Sequence, residues 1–355
     1  MMIEIYLASL IVAFNTVSVN LYDILTPENN FLTQSIAQRR RTPQMRRGRP
    51  EQFSGQDGLI LEKLVQQNQE RSYYLYIPRS YQANKPMPLL LAFHGGVSQG
   101  NSMAVKTGFN EIAEREGFIV AYPNGLDRGA YGQWSDGRHL PANDSIDDVS
   151  FMKVLIKHLS KTRNIDQKRI YATGGSNGGF FTQRLACEMS EQLAAVASVA
   201  ATLPQPMVSR CKPKRAIPIL MINGTEDKLV PWAGGTMEIG ANAQILSVPQ
   251  TVAFWRSRNG CSTRNQEVRL PDTQADGTEV VKIGYFNCKS GAPVVLYQIE
   301  GGGHGWPSGQ TDALLGNDSR GNTRGNRARQ RLVGNTSQDI NASEVIWQFL
   351  QKYSL

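Results

Sequence analysis

The chain of 355 residues is 40% hydrophobic and 19% charged, ordinary proportions for a globular protein with one large core or two small ones. Its net charge of +8 invites a polyanionic partner. Five of those charges sit in two segments, residues 1–55 (net +2) and 308–334 (net +3), and no basic helix with interleaved aromatics, zinc-finger pattern or helix-turn-helix accompanies them, so nucleic-acid binding is not expected.

The apolar run at 5–14 is too short to cross a bilayer and suits the core of a secretory signal, although Glu4 stands where positive charge is usual. No other stretch is long and apolar enough to span, so stable membrane insertion is not expected. Residues 20–55, with "RRRTPQMRRGRP", lack periodicity and read as a solvated, disordered linker. This divides the chain into a signal-like segment with an Arg-rich linker at 1–55 and one folded domain at 56–355.

The folded part opens with "LILEKLVQQNQERSYYLYIP", two strands joined by a polar turn at 67–69. "PMPLLLAFHGG" is a nearly all-apolar strand running into glycines, and "AVKTGFNEIAEREG" is a helix with a glycine stop. "FIVAYPNG" is another buried strand. "NDSIDDVSFMKVLIKHLSKTRN" is an amphipathic helix, with Ser145 as N-cap and Asp148 three residues on in a capping-box arrangement. Strand "RIYATGG", helix "NGGFFTQRLACEMS" and strands "AAVASVAA" and "IPILMING" follow. A helix "VPQTVAFWRSRNG", strands near 278–285 and 294–299, a long loop at 308–334 and a last helix "NASEVIWQFLQKY" complete the domain. Apolar strands alternating with amphipathic helices predict an α/β protein, its mostly parallel sheet covered by helices on both faces.

Gly174 to Gly178 spell G-x-S-x-G between a strand and a helix. In that context the serine sits on a tight turn with its hydroxyl held above the sheet, so Ser176 is the candidate nucleophile. The dinucleotide pattern G-x-G-x-x-G fails because Ser176 stands where glycine is needed, and there is no G-K-[ST] for a P-loop. The strand leading into His94-Gly95-Gly96 is where such a fold keeps the other half of its oxyanion hole, built from backbone N–H groups near Gly96 and from Asn177. After "IPILMING" a turn carries Glu226 and Asp227, and Asp227 is the candidate acid with Glu226 its rival. His304, one of four histidines, lies within "GGGHGWPSG". The chain order Ser176, Asp227, His304 is that of the α/β-hydrolase fold. His94 reads as a histidine bonded to nearby backbone, His158 as a surface residue and His139 as a loop residue. The Asp147–Asp148 pair reads as helix capping. Trp134 and Trp306, on loops near the site, are candidates to stack on a substrate ring, with core packing the alternative.

Cys187, Cys211, Cys261 and Cys288 show no C-x-x-C, so a metal site is not expected; an even count fits an oxidising compartment, with three pairings open. Together "HGG", "YPNGLDRGAYGQWSDGR", "SIDDVSF", "RIYATGGSNGG", "INGTEDKLVPW" and "GGGHGWPSG" resemble, in order across 58–355, the secreted polyhydroxybutyrate depolymerase and feruloyl-esterase-like family of α/β-hydrolases. The resemblance implies a serine carboxylesterase acting on hydroxyalkanoate esters or on feruloyl or acetyl esters of plant polysaccharide. Ser176 would be the nucleophile, Asp227 the acid and His304 the base. It also implies disulfides Cys187–Cys211 and Cys261–Cys288. The signal-like run and the even cysteine count favour a secreted or periplasmic location, the triad chemistry needs no metal or organic cofactor, and a monomer or homodimer is expected. The alternatives are a thioesterase or peptidase using the same triad, and a non-catalytic binding protein, which the intact Ser/Asp/His set argues against.

Overall fold

The computed structural model describes residues 58–126, 132–139, 147–237, 242–309 and 331–355. The chain divides into two units, 1–48 and 49–355, and the first lies wholly outside the described residues. The signal-like run, the arginine cluster at 39–49 and most of the 308–334 loop therefore lie outside them too.

Strands β1 (Ile60–Gln66) and β2 (Gln69–Tyr76) form a hairpin with Gln66 opposite Gln69. Gln67 and Asn68 both take positive φ (50° and 62°), the two-residue turn whose twist matches the strands it joins. Strands β3 (Met87–Phe93), β4 (Ile119–Pro123), β5 (Ile165–Gly175), β6 (Ala195–Val199) and β7 (Ile219–Gly224) follow. A small separate hairpin pairs β8 (Gly235–Thr236) with β9 (Gln244–Ile245). Strands β10 (Gln266–Arg269), β11 (Glu279–Tyr285) and β12 (Val294–Glu300) end the set.

Among the described residues the main sheet runs in the order β1-β2-β4-β3-β5-β6-β7-β12-β11-β10. From β4 to β12 all neighbours are parallel, and antiparallel strands close both edges. The central strands are apolar throughout because both faces are covered. In β3, Leu89, Leu91 and Phe93 enter one core while Leu90 and Ala92 enter the other, as the two-residue period of a strand requires.

Helices α1 (Gly100–Thr107) and α2 (Phe109–Glu116) cover one face. Helices α3 (Asp148–Thr162) and α4 (Asn177–Glu188) cover the other. A short α5 (Met207–Arg210) is followed by α6 (Val248–Arg258), which joins α3 and α4, and by α7 (Ala342–Leu350), which joins α1 and α2. Trp347 of α7 stacks on Phe118 at 3.6 Å and meets Tyr171 edge-on, which docks the last helix. Cys187 is bonded to Cys211 and Cys261 to Cys288, one of the three pairings the count allows.

Two local expectations are corrected. The helix over 104–117 is two helices, because Gly108 takes φ +62° and is at once the C-cap of α1 and the N-cap of α2. The N-cap of α3 is Asp147, whose carboxylate accepts from the Ser150 N–H at 2.9 Å, while Ser145 lies outside the described residues. Asp148 is therefore not the third residue of a capping box. It is buried against Arg71 of β2 at 2.6 Å, and the Arg71 guanidinium also lies over the Phe151 ring.

The Gly108 break separates conformation from space. A Cβ at Gly108 would meet nothing within 4 Å, so Gly108→Ala costs only the left-handed backbone, about 1 kcal/mol. Urea unfolding should show a shifted midpoint with an unchanged slope.

Candidate active site

The register levels the carboxyl ends of the parallel strands: Phe93 pairs with Gly174, Val199 with Ile222, and Ile299 with Gly224. The loops leaving β3, β5, β7 and β12 therefore emerge at one edge, where open parallel sheets place their ligands. These loops carry Gly95–Gly96, Ser176, Asp227 and His304.

Ser176 is half-buried, with φ 54° and ψ −122°, between the last residue of β5 and the first of α4. A non-glycine residue holds such a backbone only where its surroundings over-determine it. Here the Ser176 N–H donates to the Val199 carbonyl at 2.9 Å, and its own carbonyl accepts the first helical bond from Phe180. The turn closes because its neighbours lack side chains. A Cβ on Gly174 would stand 2.5 Å from the Gly178 oxygen, and one on Gly178 would stand 2.4 Å from the Phe93 oxygen.

His304 Nδ1 lies 2.7 Å from Asp227 Oδ2, and Asp227 Oδ1 accepts from the Leu229 and Val230 N–H groups at 2.8 Å each. The Asp227 side chain is 1% exposed and that of His304 11%, so the bond is made out of bulk water. Glu226 is exposed; its N–H donates to Gly302 O and leaves its carboxylate outside this pair. The histidine loop is held at its backbone, with Gly303 N–H on Asn335 O and His304 N–H on Val333 O. It lies against the elbow, since the Trp306 ring passes 3.4 Å from where a Gly175 Cβ would stand.

The glycine pair after β3 faces the elbow. A Cβ on Gly95 would be 3.6 Å from Ser176 Cβ, and one on Gly96 would be 3.8 Å from Asn177 Cβ. His94 is completely buried and bonded through both ring nitrogens. Its Nδ1 lies 2.7 Å from Gly95 O, and its Nε2 accepts from the Gly125 N–H at 2.9 Å, which makes it the neutral Nδ1–H tautomer. Because C=O and N–H point oppositely across a trans peptide, the bond to Gly95 O turns the Gly96 N–H away from His94.

Trp134 and Trp306 do not offer a ring to a ligand; each is 3% exposed. Trp134 stacks on Phe181, with its Nε1 donating to His94 O at 3.0 Å. Trp306 meets Phe109 edge-on and donates to Ser343 Oγ. Both are corrected from stacking platforms to packed core residues, because their faces and N–H groups are already committed. His158 is half-buried on α3 with its ring edge to Tyr73, and His139 is exposed.

In the sequence Asn177 offers only a backbone amide; in the fold its side chain is engaged as well. Asn177 Oδ1 accepts from the Trp134 N–H at 2.8 Å, and its Nδ2 donates to the buried Asp136 carboxylate, which also holds Arg138 Nε at 2.7 Å. Nothing in the sequence marks Asp136, since an aspartate before glycine reads as a turn residue. Among the described residues no cluster of three or more His, Cys, Asp or Glu could hold a metal ion, and no helix is long and apolar enough to cross a membrane.

Burial pushes the His94 pKa down to about 4, against a smaller opposing effect of its bond to Gly95. The folded value lies below the unfolded one near 6.5, so between those pH values the unfolded chain binds a proton that the native chain refuses. The stability is whole above about pH 6.5 and is lost as pH falls towards 4, a change of about 3 kcal/mol. Urea unfolding at pH 7 and 4.5 should show a smaller acid loss in His94→Gln than in wild type.

The esterase PHB depolymerase family model matches residues 71–204. Feruloyl esterase B of Piromyces equi is 32% identical over 244 residues, 66% of this chain and 42% of that protein. "Probable feruloyl esterase C" of Aspergillus terreus is 30% identical over 257 residues, 70% of this chain and 82% of that protein. A thermostable esterase of known structure, 18% identical, superposes with a TM-score of 0.51 over 84% of this chain and 64% of that one, a likeness of fold. The chain thus spans less than half the length of the Piromyces relative. Its parallel sheet, serine elbow and sequence identity across most of the Aspergillus protein place the chain in the PHB-depolymerase-type esterase family, on the α/β-hydrolase fold.

Proposed function

We propose that the chain is a secreted serine carboxylesterase that cleaves feruloyl-type esters of plant polysaccharide through an acyl-enzyme. The observation that carries this reading is the buried Asp227–His304 bond on the loop packed against the Ser176 elbow. The Asp227 carboxylate, held by two amides, fixes Nδ1–H of His304 and leaves Nε2 to act as the base. Nε2 takes the Ser176 proton as Oγ attacks the ester carbonyl. The Gly96 and Asn177 amides receive the oxyanion, and the start of α4 adds its positive dipole end. The protonated His304 then delivers that proton to the departing alkoxide. Water, deprotonated by the same nitrogen, releases the acid and restores Ser176.

The feruloyl choice is supported by the names of the two relatives; the description of the matched family favours a second substrate, hydroxyalkanoate oligomers. Two disulfides support an oxidising compartment. Wild type should give a burst of p-nitrophenol from p-nitrophenyl acetate and turn over methyl ferulate faster than hydroxybutyrate trimer. Ser176→Ala should lose the burst and on the order of 10⁵–10⁶-fold in kcat. Asp227→Asn should lose on the order of 10⁴-fold while Glu226→Gln turns over as wild type. Full turnover by Ser176→Ala would overturn the mechanism.

A further inference from the structure

We infer that the 133–136 loop is a strut that sets the spacing between the two halves of the oxyanion hole, with Trp134 as its positioning residue; this rests on the triad reading above. The two amides come from different segments, Gly96 in the loop after β3 and Asn177 at the start of α4; the β3–β5 pairing ends at Phe93 and Gly174, so the ladder stops short of both amides. Trp134 bonds to both sides. Its indole N–H donates to the His94 carbonyl at 3.0 Å, and its backbone N–H donates to Asn177 Oδ1 at 2.8 Å. Asn177 Nδ2 returns a longer bond to the Trp134 carbonyl and a short one to Asp136.

The strut is itself fixed from outside. Ser135 N–H donates to Asp148 Oδ2 at 2.7 Å, and Asp148 is the carboxylate buried against Arg71. The Ser135 carbonyl accepts from Arg184 at 2.7 Å. All four backbone polar groups of residues 134 and 135 are thus bonded to side chains from other elements. A segment outside the strands and helices is made rigid by groups taken out of water, where such bonds are strong and costly to break.

Packing alone does not require this arrangement. The Trp134 ring fills its place by stacking on Phe181 at 5.0 Å and meeting Phe93 edge-on at 5.3 Å, contacts that a phenylalanine would share in part. The indole N–H adds a bond to the residue immediately before Gly95–Gly96. With His94 held through both nitrogens and through its carbonyl, the oxyanion loop cannot draw back from Ser176 when charge develops on the ester oxygen.

Trp134→Phe, which deletes the N–H and keeps an aromatic ring, is the first test, with kcat normalised to the burst so that only folded sites count. The expected result is a kcat lowered about tenfold to a hundredfold with KM within about twofold. Phenylboronic acid, whose tetrahedral adduct on Ser176 places an anionic oxygen in the same site, should bind Trp134→Phe with an affinity lowered by the same factor. Should Trp134→Phe fold poorly, Asp136→Ala should reproduce both losses, and Asp136→Asn, which keeps an oxygen towards Asn177, should restore them. Wild-type kcat and boronate affinity in Trp134→Phe and Asp136→Ala would overturn the strut, as would a fall in kcat with boronate affinity unchanged. Full turnover by Ser176→Ala would instead overturn the triad reading on which the strut depends.

Discussion

Gly178 packs its Cα onto the Phe93 carbonyl, where a Cβ would stand 2.4 Å from the oxygen, and the arrangement around Ser176 depends on that approach. It lets α4 begin directly over the end of β3, so Ser176 and the glycines after His94 lie side by side. The strained Ser176 backbone is held by its bond to Val199 on the neighbouring strand. The sheet supplies the rigidity. Six parallel strands, apolar on both faces, bring the loop bases level before any loop chooses its path.

Loops at the sheet edge lack the ladder bonds that order the strands, and buried polar side chains take over that task. His94, Asp227, Asp136 and Asp148 are each 5% exposed or less, and each accepts backbone N–H groups from a loop. A buried carboxylate is costly to desolvate, and the Arg71–Asp148 pair would add little stability over a well-packed apolar pair. Its effect is specificity of position: one oxygen meets the arginine and the other meets Ser135, so an ion pair at the edge of α3 fixes a loop beside the serine.

The strands and most helices were legible because their signals are local: two-residue alternation, apolar runs and glycine stops. The elbow was legible because G-x-S-x-G between strand and helix carries its own geometry, whereas the turn after β7 offered both Glu226 and Asp227 and only the family resemblance preferred Asp227. What escaped depends on partners distant in the chain. Asp148 reads as a capping residue until Arg71, 77 residues earlier, is seen beside it. Trp134 reads as a ligand platform until Asn177 and Phe181 are placed around it. The break at Gly108 escaped for another reason: a glycine within a helical pattern is tolerated at some positions and terminates the helix at others, and its φ distinguishes the two.

The glycines around His304 invite the reading of a flexible loop, and their environments argue against it. Of Gly301, Gly302, Gly303 and Gly305 only Gly301 has positive φ. The other three are required by space, since a Cβ on Gly303 would stand 2.0 Å from the Val333 oxygen and one on Gly305 2.2 Å from Thr336 Oγ1. The end of β7, which leads into the Asp227 loop, presses from the other side, where a Cβ on Gly224 would meet the Gly302 oxygen at 2.2 Å. Small residues here let three segments approach closely enough for the Asp227–His304 bond to form, and the same closeness fixes the histidine backbone. The imidazole is held at Nδ1 by Asp227 and its main chain by the Gly303 and His304 N–H bonds, so the ring keeps one orientation on the loop packed against the Ser176 elbow.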